Sequence, residues 1–189
     1  MTTPESLFET LIIAARDTIA AASSVVVLTG SGVSAESKIP TFRDAHEAVT
    51  DNEGNTMQAL WAEFDPQTLA TPEAFDADPE MVTRWYEWRR LKCFEAEPNP
   101  GHLALSALQR AIESRGGRFT LLTQNVDGLH QRAGSTGVVE LHGSITAWRC
   151  VRPAAPAVLP DGPFETYPPI HPATGHPLRP SVVWYGELL

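Results

Sequence analysis

The chain has 189 residues, of which 42% are hydrophobic and 20% are charged, so it is long enough for one globular domain with a buried core. Its formal net charge of −9 disfavours nucleic acid as a principal ligand, because phosphate backbones are bound by basic surfaces. Two cysteines are too few for a disulfide framework, and no apolar run is long enough to cross a bilayer. We therefore expect a cytoplasmic protein without a membrane segment, and the oligomeric state stays open.

The chain begins with predicted helices and strands in alternation. Apolar residues at three- and four-residue intervals predict an amphipathic helix over 4–22. The β-branched run Val25–Thr29 predicts a strand that is buried on both faces, which is typical of a parallel sheet. The elements predicted downstream are a long loop over 43–72 with one short helix at 57–64, helices over 79–95 and 101–114, and strands over 119–123 and 137–141.

Strand, long helical crossover and strand in this order predict an α/β fold with a Rossmann-like parallel sheet. We assign this domain to residues 1–148 and 181–189, with helical lid elements in about 43–100. The stretch 151–180 contains nine of the 16 prolines, which excludes a helix or a central strand there. We therefore predict that 149–180 form a small proline-rich segment.

A glycine-rich turn follows the first predicted strand. The sequence Gly30-Ser31-Gly32-Val33-Ser34-Ala35 fits the pattern in which missing side chains let backbone N–H groups approach a pyrophosphate. Alone the motif is weak, since a strand-to-helix turn without a ligand can contain the same glycines. The acidic residue that dehydrogenases carry about 20 positions later does not end a second strand here, so an ordinary dehydrogenase fits poorly.

Five segments of the sequence are informative when they are considered together: Gly30–Ser34, Ile39–Arg43, Gln124–Asp127, Leu141–Gly143 and Val182–Glu187. In this order and at these spacings, they resemble the sirtuin family of NAD-dependent protein-lysine deacylases. The resemblance runs from about residue 5 to Glu187, which is nearly the whole chain. It implies a doubly wound Rossmann-like fold, NAD as the co-substrate, and acylated-lysine proteins or peptides as partners.

The resemblance also implies the catalytic residues, which are His142, Asn125 and Asp127. His142 matches the family's general base, and imidazole suits proton abstraction because it titrates near neutral pH. Asn125 and Asp127 follow a predicted strand, at the end of the sheet where open α/β folds bind ligands. The implied NAD-binding residues are Gly30, Ser31, Gly32, Val33, Ser34, Thr41, Phe42, Arg43, Gln124, Asn125, Val126, Asp127 and His142.

Tyr86 and Arg89 lie one turn apart on a predicted helix, so both side chains can point the same way. The pair resembles the signature of sirtuins that remove succinyl and malonyl groups, since a guanidinium fork and a phenol hydroxyl can bind a carboxylate. An exposed arginine on a surface helix is the alternative interpretation. The other substrate-binding residues that the resemblance implies are Val183, Trp184, Tyr185, Gly186 and Glu187.

Two features depart from the family pattern. No cysteine follows Cys150, so the four thiolates of the family's zinc ribbon are absent and we expect no metal. Cys150, His171 and His176 could supply three ligands, but their spacing matches no standard motif. The proline-rich segment would replace the ribbon. The chain also stops before the family's later strands, so it is either a fragment or a shortened protein with an incomplete NAD site.

The leading functional hypothesis is NAD-dependent deacylation of protein lysines, which yields nicotinamide and O-acyl-ADP-ribose, with a preference for acidic acyl groups over acetyl. One alternative is a truncated, non-catalytic module that binds a nucleotide or a peptide. Another is an NAD glycohydrolase or ADP-ribosyltransferase, which would release nicotinamide without acylated lysine.

Overall fold

The computed structural model describes residues 4–39, 66–151, 156–157 and 162–189. The helices are α1 Pro4–Ala21, α2 Pro66–Leu69, α3 Pro72–Ala77, α4 Pro79–Glu95, α5 Pro100–Glu113 and α6 Leu129–Arg132, with a 3-10 helix at Ser31–Ser37. The strands are β1 Ser24–Thr29, β2 Arg118–Thr123, β3 Val139–Glu140, β4 Gly143–Cys150, β5 Pro156–Ala157 and β6 Leu178–Val182. No helix in the described ranges is long and apolar enough to cross a membrane.

Strands β1, β2 and β3 form a parallel sheet with β2 in the centre. β1 pairs with β2 along its whole length, from Ser24 opposite Arg118 to Thr29 opposite Thr123. The strand predicted over 137–141 is shorter than expected, because only two of its residues pair with β2. The prediction of an α/β fold with a parallel sheet is confirmed.

The prediction that β1 is buried on both faces is wrong. Val26 and Leu28 are 67% and 61% exposed, whereas the side chains that alternate with them are half-buried. β1 lies at the edge of the sheet, and the apolar residues of α1, such as Leu11, are exposed as well. A β-branched run indicates a strand, but which faces become buried depends on the neighbouring layers.

Helix α4 begins and ends where the sequence predicts. The Asp78 carboxylate accepts the Met81 N–H at 2.9 Å, and Pro79 occupies the first helical position. Both features favour a helix start at this point. The next helix, α5, begins at Pro100 and not at Gly101 because Asn99 caps it.

A second, antiparallel sheet in the order β5-β4-β6 was not predicted. Pro180 lies in β6, which is an edge strand of that sheet among the described residues, as is expected for a strand that contains proline. β4 and β6 both cross the predicted boundaries of the proline-rich segment. Aromatic and aliphatic side chains of α4 pack against this sheet in one buried cluster that includes Trp85, Trp148 and Trp184.

Gly143 is the first residue of β4 and has a backbone φ of +76°. A Cβ at this position would overlap the carbonyl oxygen of Ser181 on β6. Only glycine combines this backbone conformation with so close an approach. The neighbouring His142 carbonyl accepts the Val183 N–H at 2.9 Å, so the same contact fixes His142 relative to β6.

Candidate active site

The carboxyl ends of the parallel strands meet the start of β4 around one cavity of about 440 Å³. The predicted site residues that line it are Ser31, Ser34, Tyr86, Arg89, Gln124, Asn125, Val126, Asp127, His142, Val183, Trp184, Tyr185, Gly186 and Glu187. Gly30, Gly32 and Val33 belong to the same turn as Ser31 but are not lining residues. Thr41, Phe42 and Arg43 lie outside the described residues.

A buried hydrogen-bond network joins the glycine-rich turn to the residues that follow β2. The Ser34 hydroxyl donates to Asp127 Oδ2 at 2.7 Å and accepts from Asn125 Nδ2 at 2.9 Å. The second carboxylate oxygen of Asp127 accepts the Leu129 N–H at 2.9 Å. The amide of Asn125 and the carboxylate of Asp127 are thereby fixed in orientation.

The two glycines of the turn leave open space beside this network. A Cβ built on Gly30 or on Gly32 would meet no atom within 4 Å. The backbone of the turn is therefore accessible to a ligand, as the motif requires.

His142 is held in one orientation by a backbone acceptor. Its Nδ1 lies 3.0 Å from the carbonyl oxygen of Gln124. Because a carbonyl oxygen only accepts, Nδ1 carries the hydrogen, and in the neutral ring Nε2 is the nitrogen with a free lone pair. This tautomer equips His142 to accept a proton at Nε2.

Three hydrogen-bond donors line another part of the cavity. Tyr86 and Trp184 are buried with their rings stacked at 6.1 Å. Neither Tyr86 Oη nor Trp184 Nε1 has a partner of full hydrogen-bond geometry among the described residues, although the Trp184 side chain is near enough to the phenol to lower its pKa against the larger effect of burial. Arg89 lies one turn further along α4, with its guanidinium 5.0 Å from the Trp85 ring centroid. Burial lowers the pKa of Arg89 and raises the pKa of Tyr86, so the site disfavours an uncompensated positive charge and keeps the phenol protonated.

Glu187 is engaged within the protein. Its two carboxylate oxygens accept hydrogen bonds from Arg179 at 2.6 and 3.0 Å, and one of them also accepts the Trp184 N–H at 2.8 Å. Burial alone would raise the pKa of Glu187, but these hydrogen bonds outweigh it and lower the pKa below its usual value. Glu187 therefore holds the turn that carries Trp184 in place.

Sequence reasoning missed several lining residues. They are Ala70, Cys93, Ile145 and Leu189, whereas Ile39 and Val182 belong to the family-like segments. Cys93 could have been found, because it lies seven residues after Tyr86 and so on the same face of α4. Burial, and secondarily the Asp127 charge, raises the pKa of Cys93 to about 12. It is therefore a protonated thiol, which is a poor nucleophile.

Among the described residues, no group of three or more His, Cys, Asp or Glu side chains could hold a metal ion. Cys150 Sγ instead lies 3.3 Å from the Thr174 hydroxyl. The Nδ1 of His171 accepts the backbone N–H groups of Ala173 and Thr174. The three-ligand alternative of Cys150, His171 and His176 does not form in this structure.

Comparison with known proteins identifies the family. The sequence profile of the Sir2 family matches residues 30–189. The chain belongs to the Sir2 family. This membership agrees with the resemblance of the five sequence segments to the sirtuins.

Curated relatives within the Sir2 family are closely similar over most of this chain. The NAD-dependent protein deacylase of Thermus thermophilus is 51% identical over 175 residues, which cover 93% of this chain and 63% of the relative. The NAD-dependent protein deacylase 1 of Pseudomonas aeruginosa is 48% identical, covering 90% of this chain and 65% of the relative. The chain thus spans less than two thirds of the length of these relatives.

Solved Sir2 structures share the fold. A Sir2 homolog in complex with NAD matches with a TM-score of 0.78 and 43% sequence identity. The matched region covers 93% of this chain and 62% of the homolog's chain. A Sir2 protein with a deacetylated p53 peptide and 3′-O-acetyl ADP ribose matches with a TM-score of 0.72 and 28% sequence identity. The matched region covers 94% of this chain and 67% of that protein's chain.

Proposed function

We propose that this protein is an NAD-dependent protein-lysine deacylase, with acylated-lysine peptides or proteins as substrates. The proposal rests on Sir2 family membership and on the polar residues that line the cavity at the carboxyl ends of the parallel strands. Open α/β sheets bind nucleotides at this end. The relatives named above are NAD-dependent deacylases, and one similar structure contains NAD.

The chemistry of the cavity is suited to NAD. Open space beside Gly30 and Gly32 leaves room for a pyrophosphate near the backbone, and Asn125 and Asp127 offer an amide and a carboxylate for the nicotinamide ribose. Bound NAD supplies an electrophilic ribose carbon and the ribose hydroxyl that must lose a proton. Thr41, Phe42 and Arg43 stay predicted contributors from outside the described residues.

His142 would act as the general base. Its Nδ1–H donates to the Gln124 carbonyl, which leaves the Nε2 lone pair to take the proton from that hydroxyl. The anchor on Gln124 also restrains the ring against rotation. Asn125 and Asp127 would orient the ribose, because Ser34 fixes both of their side chains.

We further propose that the preferred acyl groups are acidic ones, such as succinyl and malonyl. The observation that carries this proposal is the buried Tyr86 hydroxyl beside the Arg89 guanidinium on one cavity wall, close to the indole N–H of Trp184. All three groups are donors, and a carboxylate accepts several hydrogen bonds at once. An acetyl group carries no carboxylate that could accept these hydrogen bonds.

The test measures nicotinamide release from NAD with succinyl-lysine peptide, acetyl-lysine peptide or no peptide, and follows the acyl-ADP-ribose product by mass spectrometry. We expect release that depends on the succinyl peptide. Release without peptide would favour the glycohydrolase alternative. No release by folded protein would favour a non-catalytic binding module.

Two variants probe the assigned roles. His142→Ala should abolish acyl transfer while the protein stays folded, and retained turnover would remove the general-base assignment. Arg89→Met should reduce kcat/KM for the succinyl peptide by about 10- to 100-fold, as expected for one lost charge-assisted hydrogen bond, and affect the acetyl peptide much less. Arg84→Met, which removes an exposed arginine on the same helix, is the matched control. Equal losses with both peptides would exclude an acidic-acyl pocket.

A further inference from the structure

Two histidines that no sequence motif predicted lie behind the candidate active site. His102 and His130 are 0% and 1% exposed, and their ring centroids are 4.8 Å apart. His102 belongs to the cap of α5 and His130 to the short helix α6. Burying a histidine costs free energy unless its ring nitrogens form hydrogen bonds. The hydrogen bonds of these two rings therefore indicate their role.

The hydrogen bonds of His130 fix its tautomer. The Thr29 hydroxyl donates its only hydrogen to Thr123 Oγ1 at 2.9 Å, so its oxygen must accept from His130 Nε2, which lies 2.9 Å away. His130 therefore carries its hydrogen on Nε2. Its Nδ1 is buried and has no hydrogen-bond partner among the described residues.

His102 is neutral with the same tautomer. Its Nδ1 accepts the Asn99 backbone N–H at 3.3 Å as part of the α5 capping box. A nitrogen that accepts an N–H carries no hydrogen, so the remaining hydrogen is on Nε2, 3.4 Å from Ser34 Oγ. Burial lowers the pKa of both rings, and for His130 the neighbouring His102 adds to the effect while Asp127 opposes it.

A chain of hydroxyl groups leads from His130 to the predicted NAD-binding residue Asn125. Thr29 receives the imidazole N–H and donates to Thr123, and Thr123 Oγ1 also accepts the Asn125 backbone N–H at 3.0 Å. The side-chain amide of Asn125 is held independently by Ser34. Asn125 is thus restrained at its backbone by one chain and at its side chain by another.

We infer that His130 is a positioning residue for the NAD site, acting on the backbone of Asn125 through the hydroxyls of Thr29 and Thr123. An apolar core residue would fill the same volume without an unpartnered nitrogen, so packing alone does not account for a histidine here. The Nε2–H of His130 is donated to the Thr29 oxygen, so the Thr29 hydroxyl is left to donate to Thr123. The His130 ring therefore orients the Thr29 hydroxyl toward the oxygen that accepts the Asn125 N–H.

The inference rests on the proposed function for its ligand, but two of its readouts need no ligand. In the protein without NAD, imidazole ¹⁵N NMR should report the neutral Nε2–H tautomer for His130. Hydrogen exchange should report slow exchange of the Asn125 backbone amide. An Nδ1–H tautomer of His130 would overturn the inference at once.

The matched variants act on Thr29, which leaves both histidines in place. Thr29→Val removes the hydroxyl at nearly constant volume, and Thr29→Ser keeps it and serves as the rescue. We expect the Asn125 amide to exchange faster in Thr29→Val than in Thr29→Ser, and NAD to bind about 5- to 10-fold more weakly, as for one lost hydrogen bond. His130→Phe should act like Thr29→Val if it folds.

The outcomes separate the two proposals. If the natural sequence binds no NAD by calorimetry, the proposed function fails, and the Asn125 exchange rates alone decide the positioning role. If it binds NAD, but Thr29→Val and Thr29→Ser have the same affinity and the same Asn125 exchange, the positioning role is overturned and the proposed function stands.

Discussion

Replacing Gly143 by alanine should disrupt the junction between the two sheets. The substitution places a Cβ at a φ of +76°, which costs about 1–2 kcal/mol for a residue with a side chain. The same Cβ overlaps the carbonyl oxygen of Ser181 and lies 3.1 Å from its carbonyl carbon. These are backbone atoms of β6, so no side chain can rotate away to relieve the contact.

The second cost is that of overpacking, which is about 1–3 kcal/mol in buried sites. Together the two effects predict a loss of about 2–5 kcal/mol in the free energy of unfolding. Domains of this size have about 5–15 kcal/mol in total, so the loss is large. Because β6 must move, the bond from Val183 N–H to the His142 carbonyl should weaken too.

Urea unfolding followed by tryptophan fluorescence measures the loss, because Trp148 and Trp184 are buried near this junction. Gly116→Ala is the matched control, since Gly116 has a φ of +78° but a Cβ there meets no atom within 4 Å. It should cost only the backbone strain, about 1–2 kcal/mol. Equal losses in the two variants would refute the argument from the Ser181 contact.

Two further effects on stability are expected. Glu87→Gln should lower the free energy of unfolding by about 3–5 kcal/mol, because it removes the negative charge that faces the buried Arg90. The control Glu80→Gln breaks an exposed ion pair on the same helix and should cost under about 1 kcal/mol. Similar urea midpoints for the two variants would contradict this expectation. Burial lowers the pKa of His102 and His130. Below about pH 6.5 the unfolded chain therefore binds protons that the folded chain does not, and the free energy of unfolding should decrease as the pH is lowered. Urea midpoints at about pH 8 and about pH 5.5 test this expectation in a Glu140→Gln background. The background is needed because burial raises the pKa of Glu140, so that its protonation would stabilise the fold at low pH. A midpoint that is not lower at about pH 5.5 would contradict the expectation.

Local signals predicted α1, α4, α5, β1 and β2 well, whereas the short helices α2, α3 and α6 were not predicted and the helix predicted at 57–64 lies outside the described residues. Asp78 and Pro79 mark the start of α4, and the glycines at 116 and 117 follow the end of α5. The exposure of β1 and the pairing of β4 with β6 were not predictable in this way. They depend on which segments meet in space, and β4 starts with small and polar residues that give no clear alternation.

The candidate site was predictable where a motif names the residue. Asn125, Asp127 and His142 were found through family-like segments, and the structure places all three at one cavity. The residues beneath them were missed, because His102 and His130 form their network only after distant segments meet. The one local sign was His102 at the third position of a capped helix, where a side chain can return to the cap.

The turn that ends in Glu187 has a consequence for the thermodynamics of binding. Arg179 donates hydrogen bonds to the Glu187 carboxylate, and its guanidinium also lies 3.3 Å from the Trp184 ring centroid. The backbone around Trp184 is thus held by these contacts without any ligand. A peptide that docks against it would lose its own conformational entropy but would order little of the protein, so affinity should change only slightly when this turn is rigidified further.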